Sequence, residues 1–143
     1  MLGRKDYTKD EVDHARRAVD RQLAAYKKLV KASDGATSDA KVVAARAAFE
    51  PLFFGNMVLA LDRFFVHRIR AVAGKDCNPL NEVELLVEAL LNHDGVLHGN
   101  KVIKYVPAQT VLKLEIGDQI RLDPAQFERL ANAFFAEIEA KFM

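Results

Sequence analysis

Apolar residues recur at helical spacing along most of the chain, and the first such stripe predicts a long amino-terminal helix. This helix is expected to open at Thr8, because a hydroxyl followed three residues later by Glu11 has the form of a capping box. The stripe consists of Val12, Ala15, Val19, Leu23, Tyr26 and Val30. A polar loop follows, in which Thr37 or Ser38 is the expected cap of the second helix.

The middle of the chain predicts further helix and contains the expected core. An alanine-rich helix is predicted over 40–49, and Pro51 either kinks one long helix over 39–73 or starts a third helix; we favour a kink or short break. The stretch 52–73 is apolar on most sides and is predicted to be the central helix. Asp62 lies among its apolar positions, so we expect a buried carboxylate paired with a cation such as arginine.

A fourth helix is bounded by clear local signals. Gly74 is expected to end the central helix, while Asn78 and Pro79 have the pattern of an N-cap and first helical residue. The helix is expected to stop near Asn92.

The last third of the chain predicts a short hairpin and a final helix. Apolar runs at 102–105 and 119–122 indicate two paired strands, and Asp123 with Pro124 opens the last helix. The sequence therefore predicts a single helical domain, 1–143. Its fold class is all-α, a bundle of four or five helices around a central apolar helix, with a short two-stranded β-hairpin before the last helix.

Composition narrows the class of protein. The 143 residues are 50% hydrophobic and 29% charged, which is typical of a globular domain, and the net charge of +1 disfavours nucleic acid as a partner. The 72 residues up to Val72 carry 14 basic and 9 acidic side chains, so their net charge is +5. The rest carry 7 and 11, a net charge of −4, which fits two halves that pack together or an acidic partner for the first helix.

The expected location is the cytoplasm. Cys77 is the only cysteine, so an intramolecular disulfide and a cysteine zinc site are excluded. The charged amino terminus has no apolar signal core, and the longest apolar run, 51–61, is shorter than the roughly 20 residues of a membrane span. We therefore expect no membrane association.

Two segments, DRFFVHR at 62–68 and GKDCNPLNE at 74–82, resemble a group of small uncharacterised proteins from high-GC Gram-positive bacteria. The similarity continues over 117–120 and 133–139, so it covers roughly residues 49 to 142. The resemblance implies a mostly helical cytoplasmic protein. It implies no reaction and no ligand.

The leading candidate site is a cationic corner. On a continuous helix Arg63, His67 and Arg70 share one face, and the following reversal brings Lys75 and Asn78 to the start of the next helix. Guanidinium groups, an ammonium group and free backbone N–H groups together would bind an anion. Alternatively, the arginines pair with carboxylates of neighbouring helices and His67 is a structural histidine.

A first enzymatic alternative uses two of the same residues. Arg63 and His67 resemble, in miniature, the arginine and histidine of HEPN-type ribonucleases, although Phe64 replaces the polar residue that commonly follows that arginine. A general-base histidine beside a phosphate-binding arginine suits RNA cleavage.

A second enzymatic alternative lies after the fourth helix. His93 and Asp94 resemble the doublet of HD-type metal phosphohydrolases, with His67 upstream and Asp118 or Asp123 downstream as further ligands. Gly95 and Gly99 place the doublet and His98 at a helix end or in a loop, so a polar helix cap is the alternative.

Cys77 also has two interpretations. It is either a thiol whose pKa is lowered by Lys75 and the next helix, or a small apolar residue.

The function predicted from the sequence is a non-catalytic module that binds a small anion or a protein partner, with no cofactor and no metal. The alternative is a phosphoester-cleaving enzyme, and the sequence leaves homo-oligomerisation open.

Overall fold

The computed structural model describes residues 3–36 and 39–143, and five α-helices lie within those ranges. They are α1 (Lys9–Ala36), α2 (Ala40–Arg63), α3 (Arg70–Ala73), α4 (Pro79–Asn92) and α5 (Pro124–Phe142). A 3₁₀ turn, Pro107–Gln109, interrupts the long connection between α4 and α5. The predicted helical bundle is therefore present.

Local capping signals set several of the helix starts. The Thr8 hydroxyl accepts a bond from the Glu11 amide at 3.2 Å, and the Glu11 carboxylate accepts one from the Thr8 amide at 2.8 Å, as a capping box requires. Asp123 and Gln126 form a second capping box at the start of α5. Asn78 caps α4 by accepting from an amide in its first turn.

The second helix begins at a cap that the sequence did not identify. Asp39 accepts a bond from the Lys41 amide at 2.9 Å. The predicted caps, Thr37 and Ser38, lie outside the described residues. The helix then continues through Pro51, so that residue neither breaks it nor starts a third helix.

The predicted central helix over 52–73 is also wrong, because α2 ends at Arg63. Two turns follow, and Ile69 is extended, with φ −88° and ψ 150°, before the single turn of α3. The cause is a distant segment of chain. The Arg4 amide donates to the His67 carbonyl at 2.6 Å, and the Ile69 amide donates to the Arg4 carbonyl at 3.1 Å. These backbone groups are therefore satisfied by the amino-terminal segment instead of by helix.

The core forms where the second half of α2 packs against α4 and α5, with α1 lying across α2 and α5. Its large, fully buried side chains include Phe54, Leu61, Leu80, Leu86, Phe127 and Phe134. The first half of α2 contributes little to this core, since residues 40–49 are exposed except for the half-buried Arg46.

The predicted β-hairpin is absent from the described residues. The segment 117–120 pairs instead with 95–97, through one isolated antiparallel bridge between Val96 and Gln119. The segment 102–105 forms no ladder, and its Lys104 amide donates to the Lys75 carbonyl at 2.8 Å. Its apolar pattern reflects separate anchors: Ile103 is buried, and the Tyr105 hydroxyl donates to the Leu114 carbonyl.

Within the part of the chain that the structure describes, α2 has the length and composition of a membrane span. Its most apolar window has a mean hydropathy of 1.3, and 22% of that window is buried. The expectation that no apolar segment is as long as a membrane span is therefore wrong for α2. The core helix of a soluble protein passes the same test.

Candidate functional site

The five residues of the predicted cationic corner do not converge on one surface. Arg63 and His67 are exposed and line a cleft between the start of α1 and the end of α2. Arg70, Lys75 and Asn78 belong to the α3–α4 turn and are not part of that cleft. The turns after Arg63 separate the two groups.

Arg70 is neutralised within the protein. Its guanidinium forms an ion pair with Glu84 and donates to the Gly74 carbonyl at 3.0 Å and to the Asn81 side-chain oxygen at 2.7 Å. For Arg70, the geometry therefore agrees with the alternative interpretation of the sequence, in which the arginines pair with carboxylates of neighbouring helices.

The Asn78 side chain is likewise occupied. It is buried, its amide group donates to the Ala73 carbonyl at 2.7 Å and to Asp76 at 2.9 Å, and its oxygen accepts from the Asn81 amide at 3.1 Å. Lys75 is exposed beside it. The start of α4 is therefore closed by its own cap.

The cleft that contains Arg63 and His67, here called the amino-terminal cleft, has a volume of about 440 Å³. Its walls consist of Arg4, Tyr7, Asp10, Glu11, His14, Arg63, Phe64, Val66 and His67. One wall comes from α1 and the segment before it, and the other from the end of α2 and the following turns. The pairing of Arg4 with 67–69 closes one end.

The two arginines of this cleft differ in their partners. Arg4 binds the Glu11 carboxylate through two bonds of 3.1 and 2.9 Å. With the Thr8 amide, this guanidinium lowers the pKa of Glu11 to about 2. In contrast, neither Arg63 nor Asp10 has an ion pair within the described residues.

Two histidines face the same cleft. The His14 ring meets the Phe64 ring edge-on, with centroids 6.1 Å apart. His67 is held through its backbone carbonyl, which leaves its ring exposed at the cleft wall. Neither imidazole has a side-chain hydrogen bond in the described part of the protein. The cleft thus presents one unpaired guanidinium and two available imidazoles.

Tyr7 forms the floor of the amino-terminal cleft. It is only 6% exposed, and its ring packs edge-on against Phe65 at 4.9 Å and beneath the Arg4 guanidinium at 4.5 Å. Burial raises the pKa of Tyr7. Its hydroxyl has no hydrogen-bond partner among the described residues, an unusual state for a buried polar group.

The HD-like doublet has no metal ligand set. No group of three or more histidine, cysteine, aspartate or glutamate side chains that could hold a metal ion occurs in the described ranges. His67 lies in the amino-terminal cleft, the Asp118 carboxylate accepts from the Glu115 amide at 2.8 Å, and Asp123 caps α5. The proposed ligands are therefore dispersed.

The residues after α4 form a tight turn. Asp94 and Gly95 both have positive φ, 52° and 77°, and the rings of His93 and His98 stack with centroids 4.1 Å apart. The His98 Nδ1 atom lies 2.8 Å from the Val96 carbonyl oxygen. This agrees with the interpretation of the segment as a polar helix end.

Cys77 is a buried free cysteine. Its sulfur accepts a bond from the Val106 amide at 3.4 Å, and burial raises the pKa of the thiol. The hypothesis of a thiol activated by Lys75 predicted the opposite direction, so it is wrong.

Sequence reasoning missed Tyr7 and His14. Glu11 and His14 lie three residues apart in α1, the spacing of a single helical face, and Tyr7 lies just before the cap of that helix. This spacing was the available signal, but only the fold shows that the face lies opposite Arg63 and His67.

Comparison of the chain with protein-family models, curated protein sequences and solved structures gives no significant match.

Proposed function

We propose that the protein is a non-catalytic binding module for a small phosphate-bearing anion and that the ligand occupies the amino-terminal cleft. The observation that carries this proposal is the Arg63 guanidinium, which has no carboxylate partner in the described structure and shares a cleft with two available imidazoles. A guanidinium binds phosphate oxygens through paired N–H donors, and imidazoles add further donors.

The Tyr7 hydroxyl adds support. A buried hydroxyl without a partner costs free energy that a ligand or an ordered water recovers by bonding to it. Tyr7 lines the cleft, but its hydroxyl oxygen has less than 1 Å² of accessible surface, so a small shift of the neighbouring side chains would be needed before a bound phosphate or a water could reach it.

The two carboxylates of the cleft, Glu11 and Asp10, affect anion binding differently. Glu11 is compensated by Arg4, whereas Asp10 carries an uncompensated negative charge that opposes anion binding. We therefore expect removal of the Asp10 charge to tighten anion binding.

The test is a thermal-shift titration with phosphate, AMP and citrate at low ionic strength. A specific site raises the melting temperature by mass action in the wild type, and Arg63→Ala abolishes the gain. Lys75→Ala is the matched control, since it removes an exposed cation outside the cleft and should leave the gain intact. Asp10→Asn should enlarge it.

Flat traces for all three anions would contradict the proposal, as would equal losses in Arg63→Ala and Lys75→Ala. Repeating the titration with magnesium and manganese extends the test, because a metal-dependent gain would favour the HD-like alternative.

The presence of two imidazoles favours one second candidate, metal-independent cleavage of RNA. One imidazole would take the proton from the ribose 2′-hydroxyl as that oxygen attacks phosphorus, and the other would protonate the departing 5′-oxygen. Arg63 would hold the phosphate charge.

A single-stranded RNA substrate in chelator separates catalysis from binding. Cleavage that His14→Ala and His67→Ala each abolish would replace the binding module with an enzyme. Intact RNA, together with an anion-dependent thermal shift, would support the non-catalytic proposal.

A further inference from the structure

An apolar groove runs between the second half of α1 and the first half of α2, far along the chain from the residues of the amino-terminal cleft. Its volume is about 460 Å³. The apolar residues that line it are Tyr26, Leu29, Val30, Val42, Ala45 and Phe49. A second apolar cavity of about 260 Å³ adjoins the groove and shares Tyr26, Leu29 and Phe49 with it. The two together follow α1 from about Gln22 to Ser33, or about 16 Å at 1.5 Å per residue.

The groove walls remain largely open. Leu29 is 59% exposed, Phe49 is 46% exposed and Val42 is 37% exposed. Large apolar side chains grouped on one exposed surface mark a binding surface more often than singly scattered ones do. No other element of the described fold covers them.

Basic side chains line and flank the groove. Arg46 lines it. At 100° per residue, Arg21 and Lys28 lie on the outward flank of the groove face of α1, and Lys41 lies on the corresponding flank of α2. All three flanking residues are exposed.

Two of the described carboxylates near the groove have partners within the hairpin, and a third lies on another side of α1. Glu50 accepts a bond from the Tyr26 hydroxyl and lies 3.9 Å from Arg46, so these two charges offset each other and the charge of the rim comes from the three flanking residues. Asp39 accepts from the Lys41 amide as the cap of α2. On a helical projection Asp20 lies on the side of α1 away from the groove.

We infer that this groove is a docking site for an amphipathic helix of another protein, with an apolar face and acidic flanks. A helix of about three turns matches the length of the groove. Its apolar residues would cover Leu29, Val42 and Phe49, as in other helix-in-groove complexes. Its carboxylates would face Lys28 and Arg21 on one rim and Lys41 on the other, which provides the charge complementarity.

A second copy of the chain and an anionic membrane are weaker fits to the same surface. A two-fold pairing of hairpins would bring equivalent lysines of the two copies into the same interface, where like charges repel. A bilayer surface suits a convex apolar face, whereas here the apolar side chains line a concavity between two helices.

Fluorescence anisotropy with the full chain tests the inference. The probe is a labelled three-turn peptide with leucines at helical spacing and glutamates on both flanks; the same peptide with lysines, and a scrambled glutamate peptide, are its controls. We expect saturable binding of the glutamate peptide, at least about ten-fold weaker binding of both controls, and tighter binding at low salt.

Variants locate the site. Leu29→Asp and Val42→Asp should each weaken binding about ten-fold or more, because each removes an apolar contact and adds a like charge. Both residues are exposed, so the fold should persist, which circular dichroism checks. Leu91→Asp is the matched control, since Leu91 is 64% exposed but does not line the groove.

Three outcomes would overturn the inference. The first is equal affinity for the glutamate, lysine and scrambled peptides. The second is a concentration-dependent doubling of mass that Leu29→Asp abolishes, which would identify a second copy as the occupant. The third is cosedimentation with phosphatidylglycerol vesicles, lost in Leu29→Asp, in the absence of peptide binding.

Discussion

Arg68 binds Asp62 across the turn that ends α2, with 2.8 Å between the guanidinium nitrogen and the carboxylate oxygen. The Arg68 side chain is only 5% exposed and that of Asp62 16% exposed. Arg68 also donates to the Phe65 carbonyl at 3.0 Å and to the Leu80 carbonyl at 3.3 Å. One guanidinium thus ties the end of α2 to the start of α4, and the predicted pairing of Asp62 with an arginine is confirmed.

Replacing Asp62 with alanine should destabilise the protein by about 3 kcal/mol, since Arg68 would keep a buried charge without its counter-ion. The value lies at the low end for buried pairs because Asp62 keeps some contact with water. Urea denaturation measures the change. Asp10→Ala, which removes an exposed carboxylate without an ion pair in the described structure, should change stability by less than about 0.5 kcal/mol. Equal effects of the two variants would show that the Asp62 pair is not structural.

A second prediction concerns Glu82, a buried carboxylate on α4. Its two oxygens accept bonds from the Val111 amide at 2.8 Å and the Leu112 amide at 3.0 Å, which anchors the connection between α4 and α5. Burial raises the pKa of Glu82 above its ordinary 4.5 despite these two bonds. The folded protein therefore holds the Glu82 proton more tightly than the unfolded chain does.

The sign of the pH effect follows. As pH rises from 4.5 through the raised native pKa of Glu82, the unfolded chain releases the proton first, so this group contributes progressively less to stability. The free energy of unfolding of the wild type minus that of Glu82→Gln should consequently fall as pH rises through that window. Denaturation of both proteins over a pH series measures it. If the wild type instead gained stability relative to Glu82→Gln as pH rises, the two amide bonds would lower the pKa of Glu82 more than burial raises it.

The third prediction concerns Glu11, whose pKa of about 2 results from its bonds to Arg4 and the Thr8 amide. A depressed native pKa stabilises the folded protein above the ordinary value of 4.5, and that stabilisation is lost as pH falls toward 2. The backbone of Arg4 also bonds to that of His67 and Ile69. Loss of the Arg4–Glu11 ion pair in acid should therefore loosen these backbone bonds. Amide exchange at Ile69 should therefore accelerate in Glu11→Gln relative to the wild type at neutral pH. Lys9→Gln, which breaks an exposed pair with Asp13, is the control and should leave Ile69 unchanged.

Features that depend on residues close together in the sequence were predicted, and features that depend on distant residues were not. The capping box of Thr8 with Glu11 and the cap at Asp123 were predicted because each is formed by residues close together in the sequence. The end of α2 at Arg63 was not, since 56–73 contains no glycine or proline and the competing partner, the Arg4 backbone, lies some sixty residues away. The pairing of 117–120 with 95–97 was missed because three residues, 95–97, are too few to show the pattern of a strand.

The candidate site shows the same limit. Arg63 and His67 line one cleft, but Arg70 was grouped with them by extending the helix past its real end. His14 was overlooked because it lies on α1, whose position over the end of α2 depends on the packed fold.

The last prediction separates the two arginines that the sequence had grouped. Arg70→Ala should destabilise the protein by about 1 to 3 kcal/mol, because it leaves the buried Asn81 oxygen without its donor. Arg63→Ala should change stability by less than about 0.5 kcal/mol without anions, since no described carboxylate depends on that guanidinium. The response to phosphate should show the opposite order of the two variants. Arg70→Ala should keep the phosphate-induced rise in melting temperature, and Arg63→Ala should lose it. Thermal denaturation of both variants with and without phosphate measures all four quantities. If Arg63→Ala were as destabilising as Arg70→Ala without phosphate, Arg63 would have a structural role, and the cleft would lose its free cation.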